Sequence, residues 1–380
     1  MREPVDLRRQ RILAAIEARG SARVTDLASE LQVSVVTVRR DVEELAREGR
    51  LRRGHGVVRS TLPAQEFPAR NLPGGELGEF SPQSPPDGDA VAVVVPERHS
   101  YLYEALHGAR SVLEAAGRRI ALHIAPHVAG AERPLVERAL VDGAAGLLLA
   151  PRWRTRADEE ADQDWLAALD VPAVLMERRP WPGSALHAMD SVCSDHDYGA
   201  RLAVEHLVGL GHRRFVFATR EDSPTARTLR SAFARIAEEH PLVEAAAWTL
   251  STPDAGPGGP CPDATPADLY ARLRAVGATA AVLHGDVDAL MLVHQLADNG
   301  VRVPEDCSVV AYDDVVAGLG TTPLTAVAPP KAEVGRAAAE LLLQRLGAPR
   351  GAPAPVVRRT ELLPTLTVRG STRVLMVNRA

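Results

Sequence analysis

Residues 280–314 read AAVLHGDVDALMLVHQLADNGVRVPEDCSVVAYDD. The stretch opens on a short apolar run at 280–283. An amphipathic helix at 287–299 follows, closed by the stop signal Asn299-Gly300. A second apolar run occupies 308–311. Runs that are apolar at every position suit strands buried on both faces, the condition of a parallel sheet covered by helices. Strand, helix and strand in that order make one unit of a parallel α/β fold.

The same alternation extends from Ala90 to about Arg373. Further strands are expected at 90–95, 120–124, 146–149, 173–176 and 215–218. Helices are expected at 102–116, 134–141, 198–210, 226–239 and 332–346. Residues 60–88 hold six prolines and four glycines in 29 positions. Such a segment buries too little apolar surface to offset its ordering entropy and reads as a linker.

Residues 1–59 differ in kind. Residues 1–60 carry 13 arginines against 9 acids, whereas the whole chain has a net charge of −5. A basic end on an acidic body suggests that one segment meets a polyanion. Three helices can be read: 8–19, ending at Gly20; 25–31, with Thr25 as N-cap; and a third capped by Ser34 and stopped at Gly49. On the third helix Val35, Val38, Val42 and Leu45 form one apolar stripe. Val36 and Arg40 face the other way, flanked by Thr37 and Arg39. That outward face suits a DNA major groove, where arginine can pair with guanine or phosphate and a valine methyl can touch thymine. Ser34 and the helix N-terminus can hold a phosphate. Residues 50–59 read as a basic two-stranded wing, with Arg53 and His55 placed to touch the duplex. The predicted DNA-binding set is therefore Ser34, Val36, Thr37, Arg39, Arg40, Arg53 and His55.

An open parallel sheet binds ligands beyond the carboxyl ends of its strands. The candidate ligand contacts are therefore the residues that follow each strand. Aromatic residues number only 14 in 380, yet Tyr101, Tyr103, Trp153, Trp181 and Tyr312 fall at these ends. Rings with charged neighbours are usual in a cleft for a polar ligand. His99, Tyr101, Tyr103, Trp153, Glu177, Arg178, Trp181, Arg227, Asp286 and Asp313 are the predicted effector-binding residues.

Two family resemblances follow from quoted residues. Arg9-Gln10-x-Ile12-Leu13, Val24-x-x-Leu27-Ala28, Val33-Ser34-x-x-Thr37-Val38-Arg39-Arg40-Asp41 and Glu48-Gly49-x-Leu51-x-Arg53-Gly54-His55-Gly56 resemble the winged helix-turn-helix of the DeoR family. Val57 stands where that family has a second glycine. Val171-Pro172-Ala173-Val174-Leu175, Asp195-x-x-x-Gly199-Ala200, His206-Leu207-x-x-Leu210-Gly211-His212-Arg213-Arg214 and Gly300-x-Arg302-Val303-Pro304-Glu305-Asp306-x-Ser308-Val309-Val310-x-Tyr312-Asp313-Asp314 resemble the effector domain of LacI/GalR repressors, of periplasmic-binding-protein type. The resemblance implies two lobes with crossovers near 190–194 and 320–326. It also implies effector contacts by Glu177, Asp286 and Asp313. Three positions depart from its pattern: Glu177 replaces Asp, Gly285 replaces Asn beside Asp286, and His196 replaces Asn after Asp195. The Pro/Gly linker and wing stand in place of its helical hinge.

The expected architecture is thus α/β: a winged helix-turn-helix at 1–59, a linker at 60–88 and an effector domain at 89–373. Lobe one is expected at about 89–190 and 326–355, lobe two at about 191–325 and 356–373. The expected function is a transcriptional regulator, read as a repressor, acting as a homodimer on a double-stranded DNA operator under control of a small polar effector such as a sugar. The alternative is a small-molecule-binding protein or enzyme on an α/β scaffold with no DNA role. No enzyme activity, metal or cofactor is expected: His123 and His127 flank Pro126, the Asp195-His196-Asp197 cluster lacks a coherent catalytic set, and no phosphate loop is present. Cys193, Cys261 and Cys307 lack metal-ligand spacing. No apolar run reaches ~18 residues and Met1–Pro4 is not a signal peptide, so a cytoplasmic location without membrane association is expected.

Overall fold

The computed structural model describes residues 21–23, 33, 37, 38, 40–42, 45, 51–54, 57–60, 90–96, 100–126, 128–221, 223–251, 268–349 and 356–375. The chain divides into two compact units, Met1–Pro82 and Gln83–Ala380.

In the first unit β1 (Ser21–Arg23), β2 (Leu51–Gly54) and β3 (Val57–Ser60) form an antiparallel sheet in the order β1-β3-β2. The pair β2–β3 is the predicted wing; β1 is a strand that the sequence reading did not expect. Residues 37, 38, 40, 41, 42 and 45 are helical. Val38, Val42 and Leu45 are buried and Arg40 is exposed, as the stripe requires. The expected helices at 8–19 and 25–31 lie outside the described residues.

The second unit contains two six-stranded sheets. Lobe one is built from β4 (Ala90–Pro96), β5 (Arg119–Ala125), β6 (Gly146–Leu149), β7 (Ala173–Met176), β8 (Asp190–Ser194) and β14 (Arg359–Leu362), all parallel, in the order β14-β8-β7-β6-β4-β5. Its helices are α1 (Ser100–Ala115), α2 (Glu132–Val141), α3 (Arg156–Ala167) and α8 (Lys331–Leu346). Strand periodicity distributes β4 between two cores. Val91, Val93 and Val95 pack with Leu102, Leu113, Val334 and Leu342, while Ala92 and Val94 pack with Val136 and Leu166.

Lobe two holds β9 (Arg214–Thr219), β10 (Ala245–Leu250), β11 (Ala280–His284), β12 (Ser308–Tyr312), β13 (Thr325–Ala328) and β15 (Thr365–Thr367) in the order β10-β9-β11-β12-β13-β15. Only β15 runs antiparallel to its neighbour. The flanking helices are α4 (His196–Gly209), α5 (Pro224–Glu239), α6 (Leu269–Val276) and α7 (Asp286–Asp298). Phe215, Phe217 and Val282 point to the core shared with α4 and α5; Val216, Ala281 and Leu283 point to the one shared with α7.

The lobe boundaries are corrected. Asp190–Ser194 is a strand of lobe one, so the first crossover comes after it, and β14 also belongs to lobe one rather than lobe two. The chain passes between lobes three times, at β8 to α4, β13 to α8 and β14 to β15.

Helices α1 and α8 pack at backbone contact. A Cβ at Gly108 would sit 1.9 Å from the Ala332 oxygen, and one at Gly335 would sit 1.7 Å from the Ala105 oxygen. Each glycine therefore admits the other helix's main chain.

Candidate functional site

The carboxyl ends of the two sheets carry charged residues from both lobes. Glu177 follows β7 with φ +52° and is buried. It accepts from the Ser194 amide at 3.2 Å (Oε2) and from Ser194 Oγ at 2.8 Å (Oε1). His196, the first residue of α4, places Nε2 3.5 Å from Glu177 Oε2. Its Nδ1 lies 3.0 Å from the Tyr312 hydroxyl at the end of β12, and Thr225 Oγ1 lies 3.4 Å from Nε2. Gly199 makes room for that hydroxyl, since a Cβ there would approach it to 2.3 Å. Burial pushes the Tyr312 phenol well above its ordinary range, so the hydroxyl keeps its proton.

Asp313 follows Tyr312 at φ +106°. Burial, and then the charge of Asp286, push its carboxyl up to about 7, against the opposing effects of Lys331, His196 and Arg220. Lys331 is buried and donates from Nζ to the Asp313 main-chain oxygen, with Glu104 of α1 3.9 Å away. It is the single lysine of the sequence. Arg220 follows β9; its amide donates to His284 Nδ1 at 3.3 Å and its Nη1 pairs with Asp288 Oδ2 at 3.3 Å. Arg227, on the first turns of α5, donates from Nη1 to the Trp153 main-chain oxygen at 3.2 Å, across from lobe two to lobe one. Burial lowers the Arg227 guanidinium from its ordinary value, and Glu159 and Asp158 oppose that effect.

Not every predicted effector residue faces this junction. The Trp153 indole is buried among Leu147, Leu149 and Leu166, and its Nε1 donates to Asp162 at 2.8 Å. It braces the core, and only its carbonyl meets Arg227. Arg178 is buried and spends its guanidinium on the carbonyls of Ala150, Pro151 and Glu177. Asp286 uses Oδ2 to accept from the amides of Val315, Val316 and Ala317 at 2.5, 2.5 and 3.0 Å, so it holds the loop after β12. Trp181 is half-exposed beneath the Arg156 guanidinium, 4.3 Å from its ring centroid. Tyr103 is exposed on α1, the same helix carries Tyr101, and His99 lies outside the described residues. The predicted effector set omits Arg220, which immediately follows β9. It also omits Lys331, which begins a helix behind Pro329-Pro330. Among the described residues, no group of three or more His, Cys, Asp or Glu could hold a metal ion. No described helix is long and apolar enough to cross a membrane.

In the first unit Thr37 and Arg40 are on the described helix and Arg53 is in β2, while Ser34, Val36, Arg39 and His55 lie outside the described residues.

A periplasmic binding protein-like domain is matched over residues 204–372, and a DeoR-like helix-turn-helix domain over residues 8–63. The chain is 33% identical to the HTH-type transcriptional regulator MalR of Streptomyces coelicolor over 63% of its own length and 68% of that protein. It belongs to the LacI-type transcriptional regulators. This regulator is also 26% identical to the arabinose metabolism transcriptional repressor of Geobacillus stearothermophilus, over 84% of its own length and 83% of the relative. The likeness to the Haemophilus influenzae repressor PurR is 30% and spans 59% of that protein. In fold it resembles the crystal structure of the lac repressor dimer bound to operator and the anti-inducer ONPF, with a TM-score of 0.60 at 21% identity, covering 75% of this chain and 94% of that one. The regulator joins a DeoR-like DNA-binding unit to a LacI-type two-lobed sensor, the organisation of a ligand-modulated DNA-binding repressor.

Proposed function

We propose that a small polar ligand, a sugar or related metabolite, binds between the two lobes and sets the regulator's affinity for a double-stranded DNA operator. The observation that carries this reading is the convergence of Glu177 from lobe one with His196, Arg227 and Asp313 from lobe two at the carboxyl ends of the sheets. A ligand that contacts both lobes stabilises one lobe arrangement over another and can shift an equilibrium only by that difference in affinity. DNA and ligand affinities are then reciprocally coupled, typically by ~1–3 kcal/mol.

On the DNA side, Ser34, Val36, Thr37, Arg39, Arg40, Arg53 and His55 would meet the duplex. Two copies acting as a homodimer would match a palindromic operator, a reading supported by the dimeric state of the operator-bound lac repressor. The protein would act in the cytoplasm, where the DNA is, and not as an enzyme.

The test is thermal melting of the full chain against neutral sugars, sugar phosphates, sugar acids and nucleosides, repeated with Asp313→Ala. A ligand that binds the native state alone raises the melting temperature by mass action. A shift present in the native chain and lost in Asp313→Ala supports the reading. A shift indifferent to Asp313 removes the site from the cleft. Operator retention on a gel with and without the hit then gives the sign of regulation.

A further inference from the structure

The departure at position 285 changes what the lobe-two end of the cleft presents. Gly285 has φ +83°, and a Cβ there would come within 2.9 Å of Asp288 Oδ2 and 3.4 Å of Arg220 Cδ. The Arg220–Asp288 pair therefore lies against the bare backbone where a polar side chain would otherwise stand. Within the pair the cation is the exposed partner: the Arg220 side chain is 36% exposed and that of Asp288 8%. Arg220 is held at the end of β9 by the hydrogen bond that its main-chain N–H donates to His284 Nδ1, so the guanidinium starts from a fixed point.

Two of the neighbouring carboxylates are already engaged by the protein's own donors. Glu177 is bonded twice to Ser194, and Asp286 caps three amides. Burial and the charge of Asp286 push the Asp313 carboxyl up to about 7. Arg227 and Lys331 add two further cations at the same junction.

We propose that the effector is an anion, a small polyhydroxylated molecule bearing a phosphoryl or carboxylate group, and that Arg220 receives that group in exchange for Asp288. A planar guanidinium suits both groups, because each offers two oxygens to its parallel N–H donors. Asp288 would hold Arg220 in place until the ligand displaces it, and Gly285 gives the anion close access. This inference rests on the reading that the inter-lobe cleft is the effector site.

The experiment is calorimetric titration of the full chain with glucose, glucose 6-phosphate and gluconate, with ribose and ribose 5-phosphate, and with inorganic phosphate alone. The proteins are the native chain, Arg220→Gln, Asp288→Asn and Asp313→Ala. At least one anionic compound should bind at least tenfold more tightly than its neutral parent. Arg220→Gln should lose about tenfold or more of that affinity, and Asp288→Asn, which removes the competing carboxylate, should gain. The opposite signs keep the test decisive if one variant folds poorly, which melting without ligand will show. Preference for glucose 6-phosphate or ribose 5-phosphate names a phosphoryl group, and preference for gluconate a carboxylate. Binding of a neutral sugar equal to its anionic analogue, with Arg220→Gln indifferent and Asp313→Ala defective, would overturn this inference and leave the cleft in place. Binding of inorganic phosphate alone, unchanged in Arg220→Gln, would also overturn it. No binding by any compound would overturn both readings.

Discussion

Arg227 of lobe two donates to the main-chain oxygen of Trp153 in lobe one at 3.2 Å. Because the acceptor is a carbonyl on a buried, braced residue, the bond ties α5 to a rigid part of lobe one rather than to a mobile side chain. Arg227→Met keeps the stem and removes the donor. The lobes should part more readily, and effector affinity should fall by about tenfold or more, the range for a hydrogen bond from a charged group. Calorimetry gives the affinity and small-angle scattering the change in radius. Unchanged values in both would show that the bond does not hold the lobes together.

Asp313 gives a pH dependence of defined sign. Its carboxyl ionises near 4 in the unfolded chain and at about 7 in the folded one. Between those values the folded state binds more protons, so this group's contribution to stability falls as pH rises from about 4 to about 7. The groups acting on it are Asp286, Lys331, His196 and Arg220. Asp313→Asn should lose this component and gain stability relative to the native chain at pH 8, while the two differ less at pH 5. Urea denaturation at both pH values measures it; equal differences at the two would show that the carboxyl is not held protonated.

Gly335 and Gly209 should respond to alanine in opposite directions. At Gly335 the new Cβ would collide with the main chain of α1, and the helices would have to separate. That cost is about 1–3 kcal/mol or more. At Gly209, the last residue of α4, nothing lies within 4 Å, so alanine should stabilise by up to about 1 kcal/mol through helix propensity. Denaturation midpoints of the two variants test the pair together; a neutral Gly335→Ala would mean that α1 and α8 can slide apart freely.

Arg40 is exposed on the same helix that buries Val38 and Val42. Arg40→Ala should leave melting unchanged and weaken operator binding by about 1–3 kcal/mol if it reads a base. If it holds a phosphate, the loss should be uniform across sequences and the salt dependence should drop by about one ion. Val38→Ala should do the reverse, lowering stability first. Operator titrations at two salt concentrations, beside melting curves, separate these cases.

What the sequence disclosed tracks how strongly each segment depends on its own residues. Ala280–Leu283 and Gly146–Leu149 are apolar throughout because both faces are covered, and they are legible. Asp190–Ser194, Arg359–Leu362 and Thr365–Thr367 are polar and short. They are strands because a neighbour pairs with them, so the crossover positions were displaced. Arg156–Ala167 carries five acids in twelve residues and shows no apolar stripe, yet Thr155 caps it in a reciprocal box with Asp158. At the site, Glu177, Arg227 and Asp313 could be named from their position after strands. That Arg178, Asp286 and the Trp153 ring serve the scaffold depends on which carbonyls and amides lie nearby, which no spacing rule reveals.

Lys331 has a consequence for chemistry performed on the protein from outside. Every other one of the 44 basic Lys and Arg side chains is arginine. Reagents and enzymes that seek a side-chain amine therefore find one target, and it is sealed at the crossover into α8, against the Asp313 carbonyl. Acylation of that amine would be slow while the lobes stay together and fast when they part. The rate of that acylation would then report on any opening that separates Lys331 from the Asp313 carbonyl.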